Sequence, residues 1–64
     1  MTVVIRTVNE TILEKKDLLD FSPNVGEYLV FNNTAYKVKD VIHFLDLVKD
    51  DTYVQNDKLI IEVE

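Results

Sequence analysis

The chain predicts a mainly β domain whose sheet curls on itself into a small barrel, and three observations carry that expectation. Residues branched at Cβ crowd Thr2 to Val8 and recur near the C-terminus at Ile60, Ile61 and Val63. The only proline and the only glycine, Pro23 and Gly26, stand ahead of two apolar runs joined by Asn32-Asn33-Thr34, the pattern of a bent β-hairpin. Within the second run the apolar phase changes. Tyr36 and Val38 point one way, while Val41, His43, Leu45 and Leu47 share a phase out of step with them. One extra residue near Lys39-Asp40 brings both sets onto the core face, so a β-bulge and a sharp bend are predicted there.

The elements follow in order. Thr2 to Val8 reads as strand one, with Val3, Ile5 and Thr7 on the core face and Val4, Arg6 and Val8 on the other. Asn9-Glu10 reads as a turn, and Thr11 to Lys16 as the returning strand. A helix over Glu10 to Asp20 competes, because Thr11-Ile12-Leu13-Glu14 has capping-box spacing. The hairpin is favoured, since Leu18 falls off the stripe that Ile12, Leu13 and Leu19 would make on a helix. Asp17 to Phe21 then drops Leu18 or Leu19, and Phe21, into the core. Ser22-Pro23-Asn24 is a break, and Gly26 marks a bend that needs positive φ. Glu27 to Phe31 is strand three, with Leu29 and Phe31 on one face and Tyr28 and Val30 on the other. Asn32-Asn33 suits a tight turn. Strand four starts at Ala35 or Tyr36 and runs through the predicted bulge. The polar, acidic stretch Val48 to Asp57 reads as a loop. Lys58 to Glu64 is the last strand, with Leu59, Ile61 and Val63 inward and Ile60 on the outer face.

Size and composition limit the rest. Sixty-four residues make one domain, 1–64, without cysteine and with a single histidine. A disulfide framework and a Cys/His zinc site are therefore ruled out. The apolar content of 47% is that of a folded domain. A core of this size rarely supplies more than about 3–5 kcal/mol, so efficient packing or association must support it. No signal-peptide pattern opens the chain and no apolar run approaches a membrane span. The expected location is cytoplasmic, with no membrane partner. The net charge of −5 opposes binding to phosphate backbones, so no nucleic-acid partner is expected.

The pattern Pro23-x-Val25-Gly26-Glu27-x-Leu29-x-Phe31, followed by Tyr36-x-Val38-x-x-Val41 and the closing Leu59-Ile60-Ile61-x-Val63, resembles the small SH3-like β-barrel proteins of bacteriophages and bacterial mobile elements. The resemblance covers about two-thirds of the chain. It implies a five-stranded, strongly bent barrel and a prokaryotic or phage origin. It carries no catalytic motif, so no functional residue transfers. The segment Glu10 to Phe21 departs most from the pattern.

Candidate chemistry is sparse. His43 in an apolar strand reads as a half-buried ring hydrogen-bonded to a neighbour. General-base work would need Asp40 or Asp46 to orient it and a nucleophile beside it, and the one serine, Ser22, precedes a proline. Asp46, Asp50, Asp51 and Asp57 gather around one stretch. Their spacing is not that of an EF-hand, and a solvated acidic surface is the favoured reading. Tyr28, Tyr36 and Phe44 with Lys37 and Lys39 could imitate a base-stacking face, but core packing is the favoured use. One glycine cannot build a phosphate loop. No cofactor and no enzymatic activity are expected.

What remains is surface. Val4, Val8, Val30 and Ile60 fall on faces assigned to solvent and are the candidate partner-binding residues, unless the 10–21 segment covers them. The sequence therefore points to a non-enzymatic module that binds a protein partner or itself. An acidic inhibitor of a nuclease, imitating DNA through Asp46 to Asp57, and a structural component of a phage particle are the alternatives.

Overall fold

A computed structural model describes residues 1–64 in full. Every regular element is a strand: β1 (Thr2–Arg6), β2 (Thr11–Lys16), β3 (Tyr28–Phe31), β4 (Thr34–Lys49) and β5 (Thr52–Val63). The strands pair in the order β2-β1-β5-β4-β3, and the sheet curls into a half-barrel. All neighbours are antiparallel except β1 and β5, which run parallel. The first and last strands therefore lie inside the sheet with β4, and β2 and β3 are the two open edges.

β1 ends at Arg6 rather than continuing to Val8, because Thr7 turns the chain. Its hydroxyl accepts the Asn9 and Glu10 N–H groups at 3.3 and 3.2 Å, and its own N–H donates to the Glu10 carbonyl at 2.8 Å. The chain then returns as β2, so Glu10 to Asp20 forms no helix. β-Pairing with β1 buries part of Ile12 and Leu13 against the core, which outweighs the helical preference of Glu14-Lys15-Lys16. Both Leu18 and Leu19 pack on that core where the sequence predicts one of them, and Phe21, predicted there too, is exposed because the two leucines already fill that side.

Pro23 is buried, and the turn after it explains the single glycine. The Glu27 N–H donates to the Asn24 carbonyl at 3.1 Å, with Gly26 at φ 94°. That is the third position of a type II turn, which side chains disfavour. The turn delivers the chain to β4: Gly26 N–H donates to the Val38 carbonyl at 2.9 Å, and Val38 N–H to the Glu27 carbonyl at 2.7 Å. Asn32 and Asn33 then reverse it with φ of 51° and 61°, the mirror-image turn that matches strand twist.

The bulge lies where the phase change required it. Val38 opposes Val63 and Asp40 opposes Glu62, which leaves Lys39 unpaired. Tyr36, Val38 and Val41 consequently all pack on one core with Val3, Ile5, Leu59, Ile61 and Val63. Phe31 and Tyr36 stack there at 4.7 Å between ring centroids.

Two further expectations fail here. Val48 to Asp57 is not a loop: β4 and β5 stay paired past the barrel and reverse at Asp50-Asp51, with φ of 41° and 64°. Aspartate tolerates that left-handed conformation much as asparagine does. Val4 and Ile60 do lie on the outer face, but they are only 5% and 6% exposed. Val4 stands between Glu14 and Ile60, and Ile60 between Val4 and Ile42, so each inner strand has a neighbour on both sides. The Arg6–Glu62 pair, 3.3 Å apart, lies in the adjacent row of the same face. No helix is long and apolar enough to cross a membrane.

Candidate functional site

The long β4–β5 hairpin belongs to two environments. Its lower half is core. Its upper half leaves the body as an arm, and the molecule measures 46 × 22 × 21 Å. The seven residues from Phe44 to Asp50 span about 23 Å at strand rise, which accounts for the excess length. β3 covers β4 only from Thr34 to Lys37, and β1 covers β5 only from Lys58 to Glu62. Both outer edges of the arm are therefore bare.

Register assigns the arm's faces. Leu45 opposes Gln55 and Leu47 opposes Tyr53, while Asp46 opposes Val54. His43 opposes the core residue Leu59, and Val41 opposes Ile61. Alternation along β4 then puts Val41, His43, Leu45 and Leu47 in one phase, and Gln55 and Tyr53 join Leu45 and Leu47 across the ladder, beyond a register shift between His43 and Leu45 where β5 carries two extra residues. That stripe begins in the core and continues into water. Leu45, Leu47 and Tyr53 are 63%, 60% and 59% exposed. The expected phase is correct, yet Leu45 and Leu47 lie beyond the part of the sheet that anything covers.

A second apolar feature lies between the open edges β2 and β3. Ile5, Leu13, Leu18, Leu19, Leu29 and Phe31 line a cleft of about 160 Å³, with Val30 at its rim. It holds no polar group that would orient a ligand, and its walls are the residues that close the half-barrel. Val8 and Val30 are exposed as expected, but they sit apart: Val8 in the β1–β2 turn, Val30 on the β3 edge. With Val4 and Ile60 buried, the four candidate residues form no common surface.

The polar candidates are dispersed too. His43 is exposed rather than half-buried, and its Nδ1 accepts from the Gln55 side-chain amide at 3.0 Å. Its partner is thus Gln55, not Asp40 or Asp46. The Asn56 amide donates to Asp46 at 2.9 Å, Asp50 and Asp51 occupy the arm's turn, and Asp57 lies at its base. No three His, Asp or Glu side chains converge. Tyr28 projects from the outer face opposite Lys37, Tyr36 packs inward on Phe31, and Phe44 is on the arm, so no aromatic platform assembles.

The Met1 ammonium bridges Asp17 at 2.8 Å and Asp57 at 3.1 Å. The hydrogen bond to Asp17, then that to Asp57, holds it above its ordinary value of 8.0. The bridge ties the start of β1 to the end of β2 and to the base of the arm. Comparison with protein-family models, curated proteins and solved structures finds no match for this chain.

Proposed function

We propose that this protein is a non-catalytic protein-binding module that uses the β4–β5 arm as its contact element. One observation carries the reading: the core-phase stripe continues past the body through Leu45, Leu47 and Tyr53 with nothing packed on it. A two-stranded ribbon is marginal in water unless another layer covers its apolar face. Contiguous exposed apolar surface of this kind marks interaction sites. An SH3-like lineage and a phage or mobile-element setting belong to the same proposal and rest on the sequence resemblance.

The acidic-inhibitor reading gains nothing from the geometry. Asp46 faces with Val54, Asp50 and Asp51 cap the tip beside Lys49, and Asp57 is held by the Met1 ammonium. These acids line no single face.

Capture from lysate with the intact chain and with a Leu45→Ser/Leu47→Ser/Tyr53→Ser variant tests the module reading. The intact chain should retain a stoichiometric protein, a second copy included, which the variant loses while its body keeps the same melting profile. Identical captures by both chains, or none by either, would sink the reading.

A further inference from the structure

We infer that the occupant of the arm's stripe is a second copy of this chain, with two arms packed stripe against stripe about a two-fold axis. The inference rests on the module reading and names its partner.

Charge distribution favours a copy of itself. The chain carries −5, so two copies repel unless the contact face is neutral. His43, Leu45, Leu47, Tyr53 and Gln55 include no acid and no lysine or arginine. Asp46 points to the opposite face, and Asp50 and Asp51 sit in the turn. The carboxylate in phase at the base of the stripe, Asp57, is already paired with the Met1 ammonium, so a basic partner would find no free carboxylate there, whereas an identical neutral apolar stripe is complementary to it. A two-fold contact requires that self-complementarity.

Area sets the strength. Five exposed residues of these sizes leave on the order of 500 Å² per arm, or about 1,000 Å² for two, the lower limit for a specific interface. The dimer is therefore reversible and concentration-dependent. Continuity sets the geometry. The stripe is the outward extension of the Val41–Ile61 core row, so a second arm laid over it adds the missing layer, about 10 Å away as in stacked sheets.

Sedimentation equilibrium from roughly 1 μM to 1 mM should show a monomer–dimer transition. Leu47→Glu, which puts a charge in the contact, should weaken it at least tenfold or so. Val54→Glu, on the opposite face, should leave it nearly unchanged. A second measurement is independent of affinity. The chain has no cysteine, so Leu47→Cys should cross-link into dimers under mild oxidation, while Val54→Cys should not. A monomer throughout the range, open-ended association, or equal sensitivity at positions 47 and 54 overturns the inference. If the chain stays monomeric while the serine variant still loses a captured partner, the second copy falls and the module reading stands. If the chain stays monomeric and captures nothing, both fall.

Discussion

The two halves of the β4–β5 hairpin are built from the same alternation and meet opposite fates. Below His43, the row Val41–Ile61 packs into a core in which Ile61 is fully buried. Above it, the same row continues as Leu45, Leu47 and Tyr53 and stands in water. The upper half carries more polar residues and the register shifts between His43 and Leu45, yet the apolar phase of β4 is the same in both. What decides burial is the neighbouring strands: β1 flanks β5, and β3 flanks β4, only along the lower part. Periodicity decides which side of a strand is apolar, and topology decides whether that side is covered.

Deleting Lys39 should break the comparison most severely. The ladder from Val38 to Asp40 would become regular, and the bend that bulges impose would be lost. The edges β2 and β3 would separate, opening the cleft lined by Leu13, Leu18, Leu19 and Phe31. We expect the cooperative thermal transition to disappear and a hydrophobic dye to bind, with β-type circular dichroism retained. An unchanged melting curve would show that the bulge does not close the sheet.

A paired substitution sharpens the contrast between core and arm. Ile61→Ala, in the fully buried row, should cost about 2–5 kcal/mol. That is comparable to the whole stability of a domain this small. Leu47→Ala, in the same phase, should change monomer stability by less than about 0.5 kcal/mol. Urea titrations at concentrations too low for association measure both. Comparable losses would mean that the arm is part of the core.

The smallest effect is expected where the arm joins the body. The Met1 ammonium has a folded-state pKa raised above 8.0 by Asp17 and Asp57. A raised pKa means that its contribution is complete below the unfolded value and is lost as the pH climbs through the folded one. The pair is solvent-exposed, so the effect is modest. Between about pH 7 and about pH 10, the Tm of the intact chain should fall slightly more than that of Asp17→Asn. Parallel curves would show that the bridge contributes nothing.

Much of this architecture is legible in the sequence. The branched residues of β1, the Asn32-Asn33 turn and the phase change at Lys39 each have a local cause, and each appears where that cause puts it. The arm is less legible. Asp50-Asp51 carries no glycine, so its left-handed turn is masked by a run of charge. The signal that could have revealed it is Thr52-Tyr53-Val54, three β-prone residues directly after a pair of aspartates. The burial of Val4 and Ile60 is not local at all. It depends on β1 lying parallel to β5, a pairing between segments more than fifty residues apart that no short window of sequence contains. The exposed apolar surface therefore lies at Leu45, Leu47 and Tyr53 rather than at Val4 and Ile60.

The parallel β1–β5 contact also bears on how the chain comes to fold during its synthesis. Val3 and Ile5 leave the ribosome early, but their permanent neighbours Leu59 and Ile61 arrive only after β2, β3 and β4 have been made. In the meantime β1 has only β2 beside it, and no interior can form. Assembly must wait for β5 and then join distant segments, the kind of contact that slows folding. Until β5 arrives, the side of β1 that faces away from β2 is an open strand edge, the kind of margin that pairs readily with other chains.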